Sequence, residues 1–135
     1  MATTAIRAAV GKAAPFFKGT AYCPSTKGFK ELSLNDYKSK WLLLFFYPLD
    51  FTFVCPTEII AFQDKISEFE KRGVAVVGCP TDTEFSHWKW LQTEKKDGGI
   101  KGVKIPLVAD SAKTIAENYD VLAGEYDYDD DDNII

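Results

Sequence analysis

Three cysteines, one histidine and a few hydroxyl and carboxylate side chains carry whatever covalent chemistry this chain of 135 residues can perform. Cys55 is the most suggestive of them. It lies in "FFYPLDFTFVCPTEII" (45–60), between an apolar wall and Pro56, with Pro48 and Thr52 upstream and Glu58 three residues on. The other cysteines, Cys23 and Cys79, are far apart in sequence, and no CxxC spacing occurs. That argues against a zinc knuckle or a vicinal dithiol. His87 is the single imidazole and could pair with a thiol as in a hydrolase, but no third orienting group is evident.

The flanks decide what Cys55 can do. "WLLLFFY" (41–47) is an uninterrupted apolar run stopped by Pro48, which predicts a central strand covered on both faces. From Pro56 to Arg72 the apolar residues Ile59, Ile60, Phe62, Ile66 and Phe69 recur at helical spacing, which predicts one amphipathic helix closed by Gly73. Either Thr52 or Cys55 can begin that helix, and both registers put the sulfur in its first turn. This position matters because open α/β sheets bind ligands at the carboxyl ends of their strands. A helix start also offers unpaired N–H groups and positive potential. Together they favour a thiolate over a thiol whose ordinary pKa is about 8.5. A bare cysteine is more often a small buried hydrophobe, and the combined setting shifts the reading of Cys55 to reactivity.

The remaining elements frame this unit. "VAVVGC" (74–79) predicts a second buried strand, which places Cys79 in the core, and "IPLVAD" (105–110) a third. Asp82 or Thr83 can cap a helix carrying Phe85, Trp88 and Leu91, which frays at "KKDGG". "SAKTIAENY" predicts a short helix, "FKELSLNDY" a strand and a turn, and Cys23 falls in a loop. Trp41, Trp88 and Trp90 suit a core or an interface better than a cofactor site. A net charge of -4 argues against nucleic acid as a partner. Arg7 and Lys12 interrupt any signal-peptide core, and Trp41 to Leu49 is too short to span a bilayer, so a cytoplasmic protein without membrane partners is expected. The aspartate-rich end, "GEYDYDDDDNII", fails as an EF-hand, since Asp132 stands where glycine is required. Residues 1–10 and 124–135 are expected to be flexible ends of one domain.

"FYPLDFTFVCPTEI" resembles the active-site segment of the typical 2-Cys peroxiredoxins (AhpC/TSA type), with Pro48, Thr52 and Cys55 at the family's proline, threonine and peroxidatic-cysteine positions. "GKAAPFFKGTA", "GCPTDTEFSHWKW" and "GGIKGVKIPLVAD" extend the resemblance over residues 11 to 122. It implies a thioredoxin-like α/β fold with the family's N-terminal extension, lacking the later strands and the last helix. It also implies a thiol peroxidase that needs no metal, haem or flavin and is recycled by a thioredoxin-like dithiol protein. The implied roles are nucleophile for Cys55, peroxide positioning for Thr52, shielding for Pro48 and pocket support for Glu58. Phe85 and His87 fall in a region the resemblance places at subunit contacts of a homodimer or larger homo-oligomer. The family's later arginine and resolving cysteine have no counterpart here, which favours an alternative expectation, a catalytically impaired peroxiredoxin-derived fragment acting as a binding or chaperone-like module. Arg72 would lie ~25 Å down the helix at 1.5 Å per residue, and Arg7 sits in the N-terminal tail.

Overall fold

A computed structural model describes residues 7–47 and 55–122. The order is β1 (Lys18–Cys23), β2 (Gly28–Ser33), a 3-10 turn at Leu34–Tyr37, β3 (Trp41–Tyr47), α1 (Cys55–Asp64), α2 (Ile66–Lys71), β4 (Val74–Pro80), α3 (Glu84–Gln92), a 3-10 turn at Lys95–Asp97, β5 (Leu107–Val108) and α4 (Thr114–Asn118). The strands form one sheet in the order β2-β1-β5-β4-β3. β3 and β4 run parallel in register from Trp41 opposite Val74 to Tyr47 opposite Pro80. β1 pairs antiparallel with both β2 and β5.

Side chains alternate across a strand, and here the alternation builds two cores. Leu43, Phe45, Tyr47, Val76 and Leu107 face one way, toward Ile59 of α1 and Trp90 and Leu91 of α3. Leu42, Leu44, Phe46, Val77, Cys79 and Val108 face the other way, toward Ile115 and Tyr119 at α4. Gly78 opposes Phe45 and Leu107, and a Cβ there would stand 2.8 Å from Leu107 Cδ2 and 3.0 Å from Phe45 Cζ. Hydrogen is the only side chain that this row of the sheet admits without displacement.

Several expectations need correction. The run 41–47 reads as a central strand, but among the described residues β3 is the edge strand, and Leu42 to Phe46 are only half-buried. The single helix expected over 56–72 is two, broken at Lys65, where the Lys65 N–H bonds to the Phe62 carbonyl at 3.1 Å. Neither glycine nor proline marks that break, so residue pattern alone offers no sign of it. Gly73 follows with φ +69°, as a helix-closing glycine does. The third strand shrinks to Leu107–Val108, because β5 receives only short pairings from β1 and β4. Cys23, expected in a loop, is the last residue of β1 and is buried. The buried face of α3 is His87, Trp90 and Leu91, whereas Phe85 and Trp88 lie at the surface. Of the three tryptophans only Trp90 is core; Trp41 is 77% exposed.

Candidate active site

Cys55 is the first residue of α1, and α1 comes after the carboxyl end of β3. Ten residues of α-helix therefore begin at the cysteine position, with Glu58 in the first turn. The unpaired N–H groups of such a turn stabilise negative charge. Pro48 and Thr52 lie outside the described residues. Glu58 is exposed and borders an apolar groove that continues along Ala61, Phe62, Lys65 and Phe69. The ring of Phe62 stacks on Phe45 of β3 at 4.7 Å, which seats α1 on the sheet.

Cys79 lies opposite Phe46 near the end of β4, within an apolar cluster. It is 2% exposed, and burial pushes its thiol far above the ordinary range, reinforced by the carboxylate of Asp110. Asp110 is itself buried and accepts hydrogen bonds from the Ile115 and Ala116 N–H groups at 3.0 and 2.8 Å. The carboxylate thus anchors the start of α4 beside a thiol that stays protonated. Burial also raises Cys23, partly offset by Lys30.

Neither arginine is a spare guanidinium. Arg72 lies just past α2 and bonds Glu68 at 2.8 Å. Arg7 donates to the Glu117 carbonyl at 2.6 Å and sits 3.6 Å from Asp120, at the end of α4. His87 is wholly buried in α3, which makes it a core residue. Its neighbour Phe85 is 65% exposed and meets Phe29 of β2 at 5.6 Å, forming an aromatic patch. Among the described residues no group of three His, Cys, Asp or Glu side chains could hold a metal ion, and no helix is long and apolar enough to cross a membrane. The aspartate-rich stretch around Asp127, Asp129 and Asp131 lies outside the described residues.

The AhpC/TSA family model matches residues 10–131. The chain belongs to that family. It is 52% identical over 113 residues to peroxiredoxin-1 of Gekko japonicus, covering 84% of this chain and 56% of the relative. Peroxiredoxin 2 of Drosophila melanogaster is 52% identical over 114 residues, covering 84% of this chain and 58% of that protein. The chain thus spans less than two thirds of the curated relatives it matches. Among solved structures it resembles the reduced 2-Cys peroxiredoxin of Plasmodium vivax, with a TM-score of 0.80, 41% identity, and coverage of 90% of this chain and 61% of that one. Thioredoxin peroxidase I of Plasmodium yoelii aligns with a TM-score of 0.78 and 46% identity, covering 82% of this chain and 64% of that one. The fold is therefore the thioredoxin-like α/β fold of the family, and the segment holding Cys55 falls inside the match.

Proposed function

We propose that this chain carries the peroxide-reducing centre of a thiol peroxidase, with Cys55 as the nucleophile. The observation that supports it best is the position of Cys55, opening α1, the next described element after β3. In the proposed step the Cys55 thiolate attacks one oxygen of a hydroperoxide. An S–O bond forms as the O–O bond breaks, and water or an alcohol leaves with a proton. Sulfur is oxidised by two electrons to sulfenic acid as the peroxide is reduced. The substrates are hydrogen peroxide and small organic hydroperoxides.

Thr52 would hold the peroxide through its hydroxyl, which both donates and accepts. Pro48 would shield the turn, and Glu58 would steady the hydrogen-bonded surroundings. A dithiol protein of the thioredoxin kind would return sulfenic acid to thiol, releasing water and becoming a disulfide, as befits a reducing cytoplasm. The name of the Plasmodium yoelii neighbour, thioredoxin peroxidase, supports that reductant. Exposed Phe85 would contribute to contact between copies of the chain. With Arg7 and Arg72 both engaged elsewhere, the helix start is the main described source of positive potential at this position.

Equimolar peroxide followed by a cyclic 1,3-dione that traps sulfenic acid, with peptide mapping, tests the assignment. Label at Cys55 is expected, and Thr52→Val should remove most of it. Label confined to Cys23 or Cys79 would overturn the proposal.

A further inference from the structure

We propose that the cleft between the β1–β2 turn, the end of α3 and residues 101–104 binds a small phosphate-bearing molecule. This site does not depend on the peroxidase reading. The cleft has a volume of about 320 Å³, and every ionic side chain lining it is a lysine: Lys27, Lys101 and Lys104. That is a local excess of positive charge in a chain whose net charge is -4. Ammonium groups gathered around one cleft repel one another, and an anion held there reduces that repulsion. Lys101 is partly matched by Glu94, 2.7 Å away. The ion pairs among the described residues include neither Lys27 nor Lys104, which makes these two the stronger phosphate contacts.

Two further features fit such a ligand. Lys27 holds φ +53° in the turn after β1, a conformation that glycine or asparagine adopts at lower cost. The turn thus presents an exposed lysine at the cleft. The wall behind the lysines is closely packed. Gln92 Nε2 donates to the Tyr22 hydroxyl at 3.5 Å, and Tyr22, Leu91 and Val103 are core side chains that close the floor of the cleft. Phosphate oxygens meet the lysine ammonium groups, and the buried floor offers no open ring face for stacking.

Calorimetric titration with phenyl phosphate, inorganic phosphate and phenol tests the proposal on the whole chain. Phenyl phosphate and inorganic phosphate should both bind saturably and weaken as salt is raised, and phenol should not bind. Lys27→Gln with Lys104→Gln should weaken phenyl phosphate by at least about tenfold, the scale of one lost charge-assisted contact. Both lysines are exposed, so the melting temperature should hold. Unchanged binding in the double variant, or phenol binding as tightly as its phosphate, would overturn the proposal. Binding that appears only after Asp129, Asp130, Asp131 and Asp132 are replaced by asparagine would also overturn it, because the occupant would then be the chain's own acidic segment.

Discussion

Cys79 lies within the end of β4, opposite Phe46, whereas Cys55 opens α1, the next described element after the neighbouring parallel strand β3. The connections leaving the two strands differ. Cys55 is itself the first residue of a helix. Cys79 is still strand, and α3 starts only at Glu84, with the Thr83 hydroxyl accepting from the Ser86 N–H at 3.2 Å. The helix-start field beyond β4 therefore falls on a threonine, while the thiol is left in an apolar layer under Tyr119, beside Asp110. On the proposed reading of Cys55, the offset of a cysteine from the next helix start, more than its nearness to a strand end, separates a thiol placed to ionise from one held neutral.

The sharpest way to break this contrast is to delete each thiol in turn. Cys55→Ser should lower the peroxide reaction rate by more than about a hundredfold, since the hydroxyl is a far poorer nucleophile at neutral pH. Cys79→Ala should leave the rate within about twofold by the same reasoning. Stopped-flow measurement at equimolar peroxide distinguishes the two, and comparable losses would erase the distinction.

A smaller effect tests whether β4 is held by packing. Gly78→Ala forces a methyl against Leu107 and Phe45, and overpacking of this kind should cost about 2 kcal/mol. Denaturant titration should show the midpoint falling with an unchanged slope.

Moving a thiol to the helix start beyond β4 sharpens the comparison from the other side. Thr83→Cys, in a Cys55→Ser background, should be alkylated by iodoacetamide at pH 7.5 about tenfold faster than Cys79, on the scale by which helix starts shift thiol pKa values. Equal rates at the two positions would show that helix-start potential does not govern reactivity here.

The smallest effect is on stability in alkali. The Cys79 thiol is raised chiefly by burial, so the folded chain keeps a proton that the unfolded chain releases above about pH 8.5. The stability this provides is complete below that pH and declines as pH rises above it. Between pH 8.5 and 9.5 the unfolding free energy should fall by about 1 kcal/mol, and Cys79→Ala should flatten that slope.

How far the sequence announces these features varies with the physics involved. The run 41–47, the strand at 74–79 and the capping role of Thr83 are legible because hydrophobic period and cap chemistry are local signals. So is the helix start near Cys55, although the register between Thr52 and Cys55 is not. Burial of α3 through His87 and Trp90 rather than Phe85 and Trp88 is illegible, because both sets satisfy helical spacing. The choice depends on where the sheet lies. Cys23 escapes a sequence reading for a related reason. "AYC" gives no sign that the strand continues to the cysteine, which only the six-residue pairing with β2 reveals. The lysine cleft gives no signal in sequence either, since Lys27 and Lys104 are 77 positions apart (104 − 27) and meet only in the folded chain.

Near the N-terminus, the Ala8 N–H bonds the Asn118 carbonyl at 2.9 Å, alongside the contacts of Arg7 with Glu117. Joining points 110 residues apart costs about 4 kcal/mol of loop-closure entropy if nothing else has ordered the chain. This clasp therefore forms after the sheet has delivered α4, and it is among the first contacts to open on unfolding. In amide hydrogen exchange, Ala8 should trade its proton through local opening, while the interior amides of β4 wait for global unfolding. Lengthening or tagging the segment before Arg7 should thus leave the pairing of the sheet untouched and change only how long residues 7–8 and 117–118 stay together.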